Sequence, residues 1–143
     1  MSTELIPFPV ECPDRADDRL KVLIVDDEPV LVEVLCMRLE GQGFKTIGVY
    51  DGRSALSAAQ EEKPDAVILD LHLPDTHGLD VCRTLAENPD TASIPVIILS
   101  GSDEPEVIRK IRAAGGCYFV AKPYDPNVLL LVLHQALESS WGW

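Results

Sequence analysis

Asp70 closes the run Asp-Ala-Val-Ile-Leu-Asp, so its carboxylate follows directly on four apolar residues, Ala66 to Leu69. A carboxylate left unpaired in such surroundings would take up a proton, so something must meet it. Three other apolar runs end in the same manner: Lys-Val-Leu-Ile-Val in Asp26-Asp27, Pro-Val-Ile-Ile-Leu in Ser100, and Cys-Tyr-Phe-Val-Ala in Lys122-Pro123. Brought into one crevice, the three aspartates carry three negative charges and Lys122 returns one. Two carboxylates about 4 Å apart repel by roughly 1 to 4 kcal/mol at intermediate dielectric. A divalent cation removes that strain, and an all-oxygen set of hard ligands suits Mg²⁺ or Mn²⁺. Zinc is disfavoured, because no thiol or imidazole set has metal-ligand spacing. A carboxylate in such a site can also act as a nucleophile and form an aspartyl phosphate. Phosphoryl transfer demands mainly positioning and charge neutralisation, which a cation, Lys122 and Ser100 supply to the equatorial oxygens.

The elements that must position these groups alternate regularly. Lys21 to Val25 reads as a strand buried on both faces, followed by a helix that opens at Pro29 and closes at Gly41 and Gly43. Leu31, Val34, Leu35 and Leu39 give that helix its apolar spacing. Lys45 to Tyr50, Asp65 to Asp70, Pro95 to Ser100 and Cys117 to Ala121 are the next strands; Ser54 to Glu62, Leu79 to Glu87, Glu104 to Ala114 and Asn127 to Glu138 are the helices between and after them. Five βα units in series require a parallel sheet covered by helices on both faces, a doubly wound three-layer α/β sandwich. All strands then end on one edge, where open α/β sheets place their sites.

The chain of 143 residues is long enough for one domain with a real core, and 46% of it is apolar. Residues 1–19, with three prolines and five acidic residues, read as an extended or loosely attached arm; 20–140 form the domain and 141–143 a short tail. A net charge of −12 argues against duplex nucleic acid and against an anionic membrane surface. The first residues lack the basic and apolar regions of a secretory signal, and no apolar run reaches the roughly 20 residues of a membrane span. Cys12, Cys36, Cys82 and Cys117 are widely spaced, and the last three sit among apolar residues as buried thiols, which suits a cytoplasmic protein.

Four motifs in order carry a family likeness: Val-Asp-Asp-Glu (Val25 to Glu28), Asp-Leu-His-Leu-Pro-Asp-Thr-His-Gly (Asp70 to Gly78), Leu-Ser-Gly (Leu99 to Gly101) and Phe-Val-Ala-Lys-Pro (Phe119 to Pro123). Together they resemble the response-regulator receiver domain of two-component phosphorelay signalling, over Lys21 to about Ser139. The resemblance implies a flavodoxin-like (βα)5 fold with strand order 2-1-3-4-5. It further implies Asp70 as phospho-acceptor, Asp26, Asp27 and Asp70 as Mg²⁺ ligands together with the backbone carbonyl of His72, and Lys122 as the phosphate-binding cation. Ser100 and Phe119 become the switch residues, and the Lys122–Pro123 bond becomes cis. The implied partners are a histidine kinase or histidine phosphotransfer protein upstream. Downstream, the face of the fourth helix, fifth strand and fifth helix meets a protein partner or a second copy. No enzymatic turnover beyond self-phosphorylation and self-dephosphorylation is implied.

His72 and Ser102 stand at the two variable positions flanking the site, and neither brings a carboxylate or an amide to position a hydrolytic water, so a slow decay of the acyl phosphate is expected. Plainer readings exist for several of these residues. Asp26-Asp27 suits a helix N-terminus, Ser100 or Ser102 suits a helix cap, Phe119 suits a core, and His72, Asp75 and His77 suit a solvated loop better than a metal cluster. A haloacid-dehalogenase-type phosphatase also uses an aspartate after an apolar strand, but needs a second Asp where His72 stands. A flavodoxin-like cofactor carrier needs an anion-binding loop where Val-Asp-Asp-Glu-Pro would repel one. In the last helix Leu129, Val132, Leu133 and Ala136 form a stripe for the sheet, leaving Leu130, Leu131 and Leu137 for a partner or for the arm and Trp141 or Trp143 to cover.

Overall fold

A computed structural model describes residues 19–101, 106, 109–110 and 117–140. Five strands, β1 (Lys21–Val25), β2 (Lys45–Val49), β3 (Ala66–Asp70), β4 (Val96–Ser100) and β5 (Cys117–Ala121), alternate with helices α1 (Pro29–Gly41), α2 (Gly52–Glu62), α3 (Gly78–Glu87) and α4 (Pro126–Ser140). Every strand pairing is parallel, and the sheet order is β2-β1-β3-β4-β5, the expected 2-1-3-4-5. Most of the helix expected over 104–114, the arm before Arg19, the tail, Ser102 and the Cys12 and Cys117 thiols lie outside the described residues; 106 and 109–110 are helical. Among the described residues no helix is long and apolar enough to cross a membrane.

The period of two along each strand divides the apolar residues between two cores. Val22, Ile24, Ala66, Ile68, Ile97 and Leu99 face α1 and α4; Leu23, Val25, Val67, Leu69, Val96 and Ile98 face α2 and α3. With both faces covered, β3 and β4 are buried along their whole length, whereas the edge strand β2 is only half-buried. This burial explains why β3 runs apolar up to its last residue and why Asp70 can sit only at its end.

Boundaries follow local chemistry. Asp51 caps α2, its Oδ1 accepting from the Ser54 backbone N–H at 2.7 Å, so the helix starts at Gly52 rather than Ser54. Two helix faces differ from expectation. On α1 the buried residues are Val32, Leu35 and Leu39, while Leu31 and Val34 are exposed together with Val30 and Met37. On α4 Leu137 is buried beside Leu129, Leu133 and Ala136, Leu130 and Val132 are half-buried against the core, and Leu131 is exposed. Both helices are apolar around most of their circumference, so spacing alone offered more than one stripe, and packing on the sheet selected among them. Cys82 is buried as expected; Cys36 is half-buried, with burial pushing its thiol pKa up and a Thr46 hydrogen bond opposing that.

Candidate functional site

Three strand ends and one post-strand turn meet at the carboxyl edge of the sheet. After β1, the Asp26 N–H donates to Val49 O at 3.2 Å, which holds this residue in the line of the strand. Its Oδ1 accepts from the Glu28 N–H at 3.0 Å, so Asp26 also organises the turn into α1. After β3, the Leu71 N–H donates to Leu99 O at 3.3 Å and carries the ladder with β4 past Asp70. Beyond β5, the Lys122 N–H donates to Ser100 O at 2.7 Å, so the lysine backbone is fastened to the end of β4. The Lys122–Pro123 bond is cis, as the family resemblance implied.

These constraints bring the Lys122 ammonium within 3.2 Å of Asp26 Oδ2 and 3.3 Å of Asp70 Oδ1, although the partners are 96 and 52 residues away in the chain. Asp26 and Asp70 are buried and Asp27 is exposed, and the three offer carboxylate oxygens that all lie within 4.8 Å of one another. Ser100 is fully buried next in line on β4. Phe119 is half-buried against the second core, in register with Ile98, which meets the packing reading of this ring.

The electrostatics are unbalanced. Burial is the largest influence on Asp70 and raises its carboxyl pKa, with Asp26 adding to the rise; Lys122 and a backbone hydrogen bond from His72 oppose it without cancelling it. Burial works against the Lys122 ammonium, but the Asp70 and Asp26 carboxylates outweigh it and its pKa is raised. Lys122 contacts Asp26 and Asp70, so one ammonium stands beside a cluster of three carboxylates that keeps an excess of negative charge. The donors are all hard oxygens, which fits Mg²⁺ or Mn²⁺.

The loop after β3 holds what sequence reasoning missed. His72 and His77 form an isolated antiparallel bridge, with their rings edge-to-face at 5.9 Å. His77 Nδ1 caps α3 by accepting from the Leu79 N–H at 3.1 Å. Asp75 is no member of a metal cluster: its two oxygens accept from the Gly52 and Arg53 N–H groups at 2.8 and 3.0 Å, at the start of α2. Gly78 donates to Leu71 O at 2.7 Å, and a Cβ there would lie 2.7 Å from Asp70 O and 2.8 Å from Leu71 Cα. The glycine that closes the motif is required by this close approach of two backbones. Tyr124 is half-buried near the site; burial raises its hydroxyl pKa, and the charges of Lys122 and Asp26 both act on it. Its position two residues after Lys122 was the signal available in the sequence.

Comparison with known proteins places this arrangement. The family model for the response regulator receiver domain matches residues 22–134. TcrX, named as a probable transcriptional regulatory protein of Mycobacterium tuberculosis, is 42% identical over 87% of this chain and 53% of its own length. The chain therefore spans about half the length of that relative. Protein PilH of Pseudomonas aeruginosa is 31% identical over 82% of this chain and 97% of its own. Among solved structures, the chemotaxis response regulator CheY4 of Vibrio cholerae superposes with a TM-score of 0.77 at 27% identity, covering 82% of this chain and 98% of that one. With the motif residues gathered at one sheet edge and the family model matching most of the chain, this protein belongs to the response regulator receiver domain family of two-component signalling.

Proposed function

We propose that this receiver accepts a phosphoryl group on Asp70 from a histidine kinase or histidine phosphotransfer protein, with Mg²⁺ (or Mn²⁺) bound by Asp26, Asp27, Asp70 and the His72 backbone carbonyl. The observation that carries the reading is a buried Asp70 whose carboxylate faces Lys122 at 3.3 Å and shares a crevice with two further carboxylates. An Asp70 oxygen attacks the donor's phosphorus; the bond from phosphorus to the departing group breaks, and its electron pair leaves with that group. Lys122 stays within reach of the oxygens that gain charge. A cation held by these carboxylates would supply the remaining charge neutralisation. Ser100, one residue past Leu99 in the strand beside Asp70, brings a hydroxyl to the same sheet edge to serve a new phosphoryl oxygen, and Phe119 on the neighbouring strand follows it as the packing readout. This is a switch and not a turnover enzyme, working in the cytoplasm through protein contacts. The comparisons lend no support to a phosphatase or flavin carrier, and His72 stands where the phosphatase needs its acid.

Incubation with acetyl phosphate and Mg²⁺, followed by intact mass, tests the proposal. One phosphoryl adduct is expected, without sustained release of phosphate. Sustained turnover, or no adduct at any Mg²⁺ concentration, would overturn it. Asp27→Ala removes an exposed ligand without disturbing the Asp26–Lys122–Asp70 contacts, so Mg²⁺ affinity should fall by about tenfold or more, with slower labelling. Unchanged affinity by calorimetry would remove Asp27 from the ligand set.

For the output, the proposed surface is that of the fourth helix of the sequence, β5 and α4, meeting a protein partner or a second copy. Leu131 supports it, being 69% exposed, with Val128 at 46%. Leu137 is committed to the core and cannot serve as a contact, while Leu130 is half-buried against it. Leu131→Glu should abolish partner binding or self-association while leaving labelling of Asp70 intact. Sedimentation and pull-down behaviour equal to the parent's would place the interface elsewhere.

A further inference from the structure

The seven residues between Asp70 and α3 form a closed loop. Its base is fastened by the Gly78 N–H to Leu71 O bond of 2.7 Å and by the His72–His77 bridge. Its tip, Pro74-Asp75-Thr76, reaches across to a different element. Asp75 Oδ1 and Oδ2 accept from the first two N–H groups of α2, at 2.8 and 3.0 Å, while Asp51 accepts from the third, Ser54 N, at 2.7 Å. Two carboxylates therefore satisfy the opening of one eleven-residue helix, one from the helix's own cap and one from the loop. Gly52 is what lets the tip close: a Cβ there would collide with the Thr76 methyl. The helix is a firm anchor, since Ala55 and Ala59 are buried in the second core.

We propose that Asp75 is a positioning residue for the phospho-acceptor site: by pinning the loop tip to α2 it sets where the loop places the His72 backbone, which hydrogen-bonds Asp70 and offers a carbonyl to the cation. A base-only loop would be hinged at Leu71 and Gly78, and its carbonyls would sample several directions. Pinned at both ends, it presents one. The two helix N–H groups also hold the Asp75 carboxyl below the usual carboxylate range. The clamp is therefore complete above that range and is lost only as pH falls through the lowered value.

The Mg²⁺ half of the test rests on the phosphoryl reading; the loop half does not. Asp75→Ala, Asp75→Asn and Asp51→Ala are compared with the parent in the full chain. Asp51→Ala is the control, because it removes a carboxylate from the same helix end without touching the loop. In metal-free protein, amide exchange across Leu71 to Gly78 should accelerate by about tenfold in Asp75→Ala and stay at the parent rate in Asp51→Ala. Mg²⁺ affinity should fall by about tenfold in Asp75→Ala and remain unchanged in Asp51→Ala. Asp75→Asn keeps one acceptor oxygen and should fall between, and it carries the comparison if the alanine variant folds poorly. Loop exchange equal to the parent's in both Asp75 variants, or equally accelerated in Asp51→Ala, would overturn the proposal. A parent without any Mg²⁺ response would count against the phosphoryl reading, and loop exchange would still decide the role of Asp75.

Discussion

Asp70→Asn is expected to abolish labelling by acetyl phosphate and by any protein donor, while making the metal-free protein no less stable than the parent. The loss of labelling follows from chemistry: an amide oxygen is too weak a nucleophile to displace the leaving group, and Asp26, the other carboxylate beside Lys122, is already engaged by the Glu28 N–H. The stability half follows from the raised pKa of the Asp70 carboxyl, for which burial is the main cause. In the window from the ordinary carboxylate range up to the raised value, the folded state holds more protons than the unfolded one, so stability falls as pH rises through it. Above the window the full cost is present, and an uncharged isostere avoids it while still accepting from Lys122. Bound Mg²⁺ should invert the order, because it stabilises the parent by about 2.7 kcal/mol at a hundred times its dissociation constant and meets a neutral amide oxygen in place of a carboxylate in the variant. Thermal melts in chelator and in excess Mg²⁺, with phosphoryl mapping by peptide mass, check both halves. A phosphoryl group on the same peptide of the variant would remove Asp70 as acceptor. A variant clearly less stable in chelator would show that Lys122 attraction outweighs burial.

Gly78→Ala is expected to lower the unfolding free energy by about 1 to 3 kcal/mol, the range for forcing a methyl into packed surroundings. The added carbon would lie 2.7 Å from Asp70 O and 2.8 Å from Leu71 Cα, both backbone atoms that no side-chain rotation can move. Relief must come from shifting the loop base, which would stretch the Gly78–Leu71 hydrogen bond and displace the turn directly after Asp70. Weaker Mg²⁺ binding should accompany the lost stability. Gly41→Ala is the matched control, since nothing lies within 4 Å of a Cβ there and it closes α1. That change should be neutral or stabilising by up to about 1 kcal/mol. Denaturant midpoints would decide, and a Gly78→Ala midpoint equal to the parent's would contradict the close approach.

Most of the fold and the principal members of the site were legible in the chain itself. Strands buried on both faces must read as unbroken apolar runs, and a polar residue ending such a run can lie only at the sheet edge; Asp26, Asp70, Ser100 and Lys122 were found on that basis. Parallel crossovers did the rest, because five βα units admit few arrangements and all of them gather the strand ends together. The tertiary structure decided what local periodicity leaves degenerate. On α1 and α4 nearly every face is apolar, so Val32 rather than Val34, and Leu137 rather than Leu131, became core only through packing on the sheet. Asp75 looked like a solvated loop residue because its partners, Gly52 and Arg53, lie 23 and 22 positions earlier and are hydrogen-bond donors only by virtue of starting a helix. The closeness of Gly78 to Asp70 O is likewise a fact of loop closure in space. Residue type and spacing record what a segment does with its own neighbours; which distant backbone it must meet is written only in the packed chain.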